Sequence, residues 1–355
     1  MNSEDFFESL AQQFKNELPF VAYRKPNVNT IKTILQQDSN LYLITDFTEI
    51  GFVFAPFDDK NEAVLIPSEK SKVLIVNDVI LSVPIAIESE ESHFKFSEDE
   101  FDKRKHIDLV QKGIDAIHDN QFQKVVLSRK ESVSISETNP ISIFKRLLGE
   151  YTSAFVYIWY HPIIGLWLGA TPETLLKVEG NRFSTMALAG TQQYKEAIDV
   201  QWKSKEKEEQ QLVTDYIVDN LREVIEDINI SEIKTIKAGS LLHLKSDISG
   251  LINNDANYLR LLIKKLHPTP AVCGFPKNRA KAFILNNENY NREFYTGFLG
   301  ELEADDSTLF VNLRCMQLKN NEAILYVGGG ITKDSIPENE WEETHNKAEI
   351  IKRVL

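Results

Sequence analysis

Residues 153–190 read SAFVYIWYHPIIGLWLGATPETLLKVEGNRFSTMALAG. This stretch contains four short runs rich in β-branched, aromatic and other apolar residues, with glycine, proline or asparagine between them. Such runs, bounded by turn residues, are typical of β-strands. Because the connections are short, we predict an antiparallel meander with strands at 153–161, 163–170, 173–180 and 182–190.

Outside this stretch, further strands alternate with a few helices. Apolar residues at helical spacing predict helices at 6–18, 101–117, 140–150, 203–228, 257–265, 277–287 and 338–353. Short apolar runs predict strands at 41–47, 51–57, 72–76, 124–130, 241–249, 297–305, 308–318 and 323–332. Strands follow one another without regular βαβ alternation, which argues against a Rossmann fold or a barrel. We therefore predict one α+β domain over residues 1–355, with the polar, acidic stretch 80–100 as its candidate internal boundary.

Charge and composition exclude several classes of partner. The 355 residues include 40 lysines and arginines against 53 aspartates and glutamates, a net charge of −13. Because nucleic-acid binding needs a positive surface, we expect no nucleic-acid partner. No stretch approaches about 18 apolar residues without charges, so we expect no membrane span. The first residues lack the basic start of a secretory signal, and two cysteines suggest a reducing compartment, so we expect a cytoplasmic protein.

Two glutamate pairs at helical spacing form the first candidate site. Glu206 and Glu209 are three residues apart in one predicted helix, and Glu340 and Glu343 are three apart in another. Residues at i and i+3 share a helix face. Two such pairs facing each other would form an oxygen-rich site for a hard divalent cation such as magnesium. The alternative is a pair of solvated helix faces, the ordinary environment of glutamate.

Isolated charges and a glycine triplet provide further candidates. Lys124 begins a predicted strand, and Glu173 follows a Thr-Pro pair. A lysine at a strand end normally points to water, but a buried one could lose its proton and act as a base. A buried glutamate could keep its proton and act as an acid. The triplet in VGGGIT (327–332) would either admit an anion close to the backbone or form a turn or bulge.

Eight segments together resemble the chorismate-utilising enzymes, and within them the isochorismate synthases. They occur in the family's order between residues 124 and 347 and are more specific together than any single motif. The segments are KVVLSRK (124–130), GATPETLLKVEG (169–180), TMALAGTQ (185–192), KEKEEQQLV (205–213), LHPTPAVCGFP (266–276), REFYTGFLGE (292–301), LFVNLRCMQL (309–318) and YVGGGITKDSIPENEWEETHNK (326–347). Residues 1–100 then correspond to a variable N-terminal part, and residues 101–355 to the motif-bearing catalytic part.

The resemblance implies a fold and a reaction. The fold would be two packed antiparallel β-sheets with helices on the outside and the site between the sheets. The substrate would be chorismate, the cofactor Mg2+, and the reaction an attack of water on ring carbon C2 with loss of the C4 hydroxyl. Lys124 matches the general base and would act as a neutral amine. Glu173 matches the general acid, so its pKa would be raised.

The same resemblance implies ligands for the metal and the substrate. Glu209 and Glu343 match metal ligands, with Glu206 and Glu340 beside them or bound through water. The positions that match substrate contacts are Arg314, Tyr295 and Lys347 for the carboxylates, His267 near the ring, and Gly190, Thr191, Gly329 and Gly330 for backbone near substrate and metal.

Related reactions remain as alternatives. Salicylate synthases share the lysine at 124 but go on to eliminate pyruvate, and their segment around 267–275 usually differs. Anthranilate synthase component I uses ammonia and lacks that lysine, and aminodeoxychorismate synthases have a lysine where this chain has Ala189. The family usually has Asp and His where this chain has Glu206 and Gln210, which alters the surroundings of the metal.

The resemblance also bears on pathway and assembly. Isochorismate feeds menaquinone, siderophore or salicylate biosynthesis, and menaquinone is the commonest use of a stand-alone enzyme of this type. Since the family allows monomers, we expect a monomer or a weak homo-oligomer.

Overall fold

The central feature of the computed structural model is a pair of antiparallel β-sheets with helices on the outside. The structure describes residues 2–77, 100–136, 139–194, 198–238, 241–252, 258–303 and 306–355. This architecture confirms the predicted α+β fold. The candidate boundary at 80–100 lies outside the described residues, apart from Glu100.

The helices lie where the sequence pattern predicts them, although the first begins and ends three residues earlier than predicted and the fourth ends well before its predicted end. They are α1 (Ser3–Lys15), α2 (Glu100–His118), α3 (Pro140–Glu150), α4 (Ser204–Leu221), α5 (Tyr258–Leu266), α6 (Lys277–Asn287) and α7 (Pro337–Lys352). The helix predicted at 203–228 ends at Leu221, and a strand begins at Ile225. The segment 224–230 is rich in valine and isoleucine, which favour a strand. In the described part of the chain, every helix is too short or too polar to cross a bilayer.

The strands divide into two sheets whose neighbours are all antiparallel. In chain order they are β1 (Phe20–Arg24), β2 (Ile31–Gln36), β3 (Tyr42–Leu43), β4 (Gly51–Ala55), β5 (Val64–Pro67), β6 (Ser71–Val76), β7 (Lys124–Ser134), β8 (Phe155–His161), β9 (Gly165–Thr171), β10 (Thr174–Glu179), β11 (Arg182–Gln193), β12 (Ile225–Ile230), β13 (Lys234–Ala238), β14 (Leu241–Ile252), β15 (Gly274–Phe275), β16 (Phe298–Leu302), β17 (Asp306–Val311), β18 (Cys315–Lys319) and β19 (Glu322–Ile331).

Strands from both ends of the chain contribute to each sheet. The first sheet has the order β15-β7-β19-β18-β9-β8-β1-β2-β6. The second has the order β12-β14-β11-β10-β17-β16-β4-β5-β3, with β13 paired to β14. Strands β1, β2 and β6 therefore extend the sheet that contains β7, while β3, β4 and β5 extend the other.

The prediction of a single meander over 153–190 is wrong. Strands β8 and β9 pair in the first sheet, whereas β10 and β11 pair in the second. The chain crosses between the sheets at Pro172 and Glu173. Proline has no backbone N–H and cannot continue a hydrogen-bonded ladder, so it suits this crossing. The four runs are strands joined by short connections, as predicted, but the connection between β9 and β10 passes from one sheet to the other.

Aromatic side chains fill the space between the sheets. Phe155 and Phe310 stack at 4.2 Å between ring centroids, and Phe54 packs on Trp159 at 4.8 Å. On the outer faces, α1 and α3 cover the first sheet and α4 and α5 cover the second. Because both faces of the sheet are covered, the run FVYIW (155–159) is continuously apolar and not alternating. Each fully buried phenylalanine contributes about 1.5–3 kcal/mol to folding.

Candidate active site

Two places where the chain passes between the sheets lie side by side. Glu173 lies in the connection between β9 and β10, and Arg314 lies in the connection between β17 and β18. The hydroxyl of Thr171 donates to the carbonyl oxygen of Val311 at 2.6 Å, and the amide of Val311 donates to the carbonyl oxygen of Glu173 at 3.0 Å. These bonds bring Glu173 and Arg314 to the wall of a common cavity.

The cavity has a volume of about 170 Å³ and is lined by both sheets together with α4 and α7. Apolar surface comes from Val126, Ala189 and Leu313, among others. Most residues expected in the site also line it: Glu173, Gly190, Glu206, Glu209, Tyr295, Arg314, Gly330, Glu343 and Lys347. A wall that combines apolar surface with convergent charged side chains suits a small polar ligand.

Glu173 has the environment of a proton donor. Its side chain is buried, and burial raises the pKa of its carboxyl to about 8, against the opposing effect of the positive charge of Lys124. This is the direction expected from the sequence. At neutral pH the carboxyl is therefore mostly protonated. The effect of Lys124 also means that the two groups are close enough to interact electrostatically.

Lys124 points into the protein and not to water. It is the first residue of β7, its side chain is 2% exposed, and its Nζ donates to Glu209 Oε1 at 2.6 Å. Gly330, on the neighbouring strand β19, leaves room for this contact. A Cβ at position 330 would lie 3.0 Å from Glu209 Oε1 and 3.1 Å from Lys124 Cε. A larger residue there would force the lysine and the glutamate to move.

The two glutamate pairs also approach glycines closely. Glu206 of α4 lies against Gly190, whose φ is 72° and where a Cβ would be 3.1 Å from Glu206 Cβ. Glu340 of α7 lies against Gly329, where a Cβ would be 3.4 Å from Glu340 Oε2. These glycines allow the carboxylates of two helices to reach the strands. Thr191 follows Gly190 in β11, and its side chain lies outside the described part of the structure.

The four carboxylates are a suitable donor set for magnesium. Glu206 Oε2 is buried and has no hydrogen-bond partner among the described residues. A hard cation would satisfy such an oxygen. Within the described ranges, no three His, Cys, Asp or Glu side chains form a ready metal-binding group. Glu209 instead binds Lys124, and Glu343 accepts from Lys347 Nζ at 2.7 Å, so these ion pairs would have to rearrange when a metal binds.

Gln210 anchors α4 at the residue next to Glu209. Its side chain is fully buried, and its Nε2 donates to Ala187 O at 3.1 Å and to Ser246 Oγ at 3.3 Å. These bonds connect α4 to β11 and β14. The glutamine thus supplies an amide donor that holds the helix against the second sheet, at the position where the family usually has histidine.

The cavity wall carries donors for an anionic ligand. Burial lowers the pKa of Arg314 to about 10, which leaves its guanidinium positive at neutral pH. Lys347 Nζ donates to Gly328 O at 2.9 Å as well as to Glu343. Burial raises the pKa of Tyr295, so its phenol remains neutral and can donate a hydrogen bond.

His267 is not among the residues that line the cavity, and its position near the substrate ring stays a prediction. Its ring is buried against the second sheet, with Nε2 3.2 Å from Pro56 O and an edge-on contact to Phe298 at 5.0 Å between ring centroids. Burial, with the positive charge of Lys277, lowers the pKa of His267 to about 4. Its hydrogen bond and packing are those of a core histidine.

The sequence analysis missed His243, which lines the cavity from β14. Its Nδ1 lies 3.0 Å from Gly190 O. Burial, reinforced by the charges of Arg314 and Lys347, lowers the pKa of His243 to about 3, so the ring is neutral. The available signal was a single polar residue in the apolar run LLHL (241–244), a pattern that an ordinary core histidine also gives.

Sequence comparisons find similar proteins over more than half of this chain. A family profile described as "Chorismate binding enzyme" matches residues 73–355. Isochorismate synthase EntC of Escherichia coli (strain K12) is 33% identical over 237 residues, which cover 63% of this chain and 60% of that protein. Isochorismate synthase DhbC of Bacillus subtilis (strain 168) is 29% identical over 264 residues, covering 69% of this chain and 66% of that protein. The matches thus span less than two thirds of either relative.

A solved structure shares the whole fold. MenF, the menaquinone-specific isochorismate synthase from Escherichia coli, superposes with a TM-score of 0.76 and 21% identity, covering 95% of this chain and 88% of that one. At this low identity, the likeness concerns the fold alone. The two-sheet architecture is therefore shared.

Proposed function

This chain belongs to the chorismate-binding enzymes, and we propose that it is an isochorismate synthase. The observation that carries the proposal is the pair Lys124 and Glu173, a buried amine and a buried, mostly protonated carboxyl within electrostatic range of each other. Glu173 lines the cavity, and Lys124 lies behind Glu209, which also lines it. Moving a hydroxyl from C4 to C2 of chorismate requires both a base and an acid, because water is a poor nucleophile and hydroxide a poor leaving group.

The reaction proceeds by proton transfer at both ends. Lys124, as the base, takes a proton from water as the water oxygen bonds to C2. Both ring double bonds shift, and the bond between C4 and its oxygen breaks as Glu173 donates its proton to the departing hydroxyl. One water is consumed and one is released, so the net change is an isomerisation. Exchange with solvent then returns the proton of Lys124 and reprotonates Glu173.

Substrate binding relies on positive charge inside an acidic protein. Chorismate carries two carboxylates, and the chain has a net charge of −13. Arg314 can hold one carboxylate by a bidentate bond, and Lys347 and Tyr295 line the same cavity with further donors. The potential that the substrate meets is therefore set locally, by these donors together with the glutamates on the same wall and the cation that they would hold.

Four glutamates would hold a magnesium ion: Glu206, Glu209, Glu340 and Glu343. When bound, the ion would supply positive charge to a substrate carboxylate. Glu206, with its unsatisfied buried oxygen, is the strongest indication of this role. Opening of the ion pair with Glu209 would also free the amine of Lys124 for its role as a base.

Removing divalent metal with a chelator is expected to stop turnover. Glu343→Gln keeps the shape of the side chain but removes a charged ligand, so we expect magnesium affinity to fall at least about 10-fold. Calorimetric titration of magnesium into the enzyme without substrate measures this directly. Glu342→Gln, on the exposed side of the same helix, is the matched control and should bind magnesium like the parent. Turnover that is indifferent to chelation would refute the metal assignment.

Separation of the products formed from chorismate and magnesium tests the reaction itself. Isochorismate as the sole product supports the proposal. Salicylate with pyruvate would support the alternative of a salicylate synthase, and anthranilate formed from added ammonium would refute both. A further alternative is an aminodeoxychorismate synthase, whose covalent mechanism would require a lysine at position 189. Here Ala189 lines the cavity, which argues against that alternative.

We also propose a pathway that uses the product. We favour menaquinone biosynthesis, with siderophore biosynthesis as the alternative. Loss of menaquinone on deletion of the gene, and its restoration by the intact gene, would support the first use.

A further inference from the structure

We infer that Arg292, together with Glu288, is a positioning residue that fixes the strand carrying Lys124 relative to the opposite wall of the cavity. The inference rests on the proposed function, in which Lys124 is the base. Arg292 does not line the cavity, yet Val126, Val272 and Thr296, which accept hydrogen bonds from it, all do. Arg292 therefore contacts three parts of the cavity wall from the side that faces away from the cavity.

The guanidinium of Arg292 uses all of its donors. Nε and Nη2 donate to the two carboxylate oxygens of Glu288 at 2.8 and 2.6 Å. Nη2 also donates to Val126 O at 2.6 Å, and Nη1 donates to Val272 O at 3.0 Å and to Thr296 Oγ1 at 3.2 Å. Arginine has five N–H donors in a rigid planar arrangement. The four partners are therefore held at fixed positions relative to one another.

These bonds hold β7 close to the proposed base. Val126 follows Lys124 by two residues, so the two side chains share a face of the strand at a distance of about 7 Å along it. Glu288 Oε1 also accepts from the amide of Ser128 at 2.8 Å and from its hydroxyl at 2.9 Å. Strand β7 is thus held at Val126 and Ser128, two and four residues after the lysine.

The remaining bonds hold the wall that faces the substrate. Val272 lies in the loop before β15, and β15 pairs with β7. Thr296 directly follows Tyr295, which is proposed to contact a substrate carboxylate. A buried ion pair adds little net stability compared with apolar residues. We therefore attribute the burial of Arg292 and Glu288 to their role in holding the cavity wall in a fixed geometry around the reacting atoms.

Arg292→Lys tests this role because it keeps the positive charge beside Glu288. A lysine offers three donors from one point and cannot reach all four partners. We expect kcat for chorismate consumption to fall about 10²-fold, since small displacements of catalytic groups have effects of this size. The chorismate dissociation constant, measured by calorimetry, should change much less than kcat.

Glu301→Gln is the matched control. Glu301 is another buried carboxylate, paired with Lys25, Lys32 and Tyr23 between the sheets, and it does not line the cavity. This variant should keep the parent kcat even where its Tm falls.

Two results would overturn the inference. One is a parent-like kcat in Arg292→Lys. The other is an equal loss of kcat in Arg292→Lys and Glu301→Gln, because kcat would then follow general stability. If Arg292→Lys does not fold, Glu288→Gln decides the question in the same way, since it keeps the shape of the side chain and removes the charge. The rates compared are of chorismate consumption, so a product other than isochorismate would refute the proposed function without affecting this comparison.

Discussion

Replacing Lys124 with alanine is expected to lower kcat for chorismate by about 10²–10⁴-fold, the usual contribution of a general base. The lysine is buried at the start of β7 with its amine 2.6 Å from Glu209 Oε1. Its removal leaves no amine at this place to take the proton from water. Product formation measured by chromatography gives the rate, and the thermal unfolding transition reports whether the variant is folded.

Lys124→Arg separates the charge of the residue from its action as a base. Arginine keeps a positive charge beside Glu209, but its guanidinium does not release a proton under working conditions. We therefore expect this variant to be as impaired as the alanine variant. Recovery of the parent rate in Lys124→Arg would mean that positive charge is sufficient, and the assignment of the base would fall.

Lys281→Ala is the control for the lysine variants. Lys281 is also ion-paired and largely buried, with Nζ 2.7 Å from Asp58 Oδ1, but it lies outside the cavity. Its loss removes a comparable ion pair without touching the proposed chemistry. We expect the parent kcat.

Glu173→Gln is expected to reduce kcat by about 10²–10⁴-fold through loss of the general acid. Glutamine has nearly the shape of a protonated glutamate and no charge, so the buried site should accept it without loss of the fold. Chorismate binding measured by calorimetry should be close to that of the parent. Glu179→Gln, at the exposed end of β10, the strand that follows Glu173, is the control and should be fully active. A fully active Glu173→Gln would refute the assignment.

The pH dependence of the reaction tests the same residue independently. Burial raises the pKa of Glu173 to about 8. The active form of an acid is the protonated one, which is present below its pKa and lost above it. The kcat/KM of the parent should therefore fall on the alkaline side as the pH rises through about 8, and the residual activity of Glu173→Gln should lack this fall. A parent profile that is flat across this range would contradict the assignment.

Much of the fold followed from local pattern. In α7, the three-residue spacing of Glu340 and Glu343 places both carboxylates on one face of the helix, and the apolar residues show which face is buried. The ordered motifs identified the family and, with it, the pairing of Lys124 with Glu173. The end of α4 was misplaced because Val224 and the isoleucines after it satisfy both a helical and a strand pattern, and only pairing with β14 selects the strand.

Other features depended on contacts that no local pattern encodes. The four runs in 153–190 are equally compatible with one sheet or two, and pairing with distant strands decides between them. Local pattern likewise does not tell which of two histidines lines the cavity. His267 lies in a recognisable motif but packs away from the cavity, while His243 lies in an ordinary apolar run and lines it.

The sequence by itself determined the family, much of the secondary-structure pattern and the residues proposed as base, acid and metal ligands. Only the tertiary structure decided which of these groups are buried together. The physical reason is that a periodic pattern fixes which side chains share a face, whereas the environment of that face depends on residues far away in the chain. Lys124 meets Glu209 on another element, and Glu173 keeps its proton because two sheets enclose the crossing that carries it.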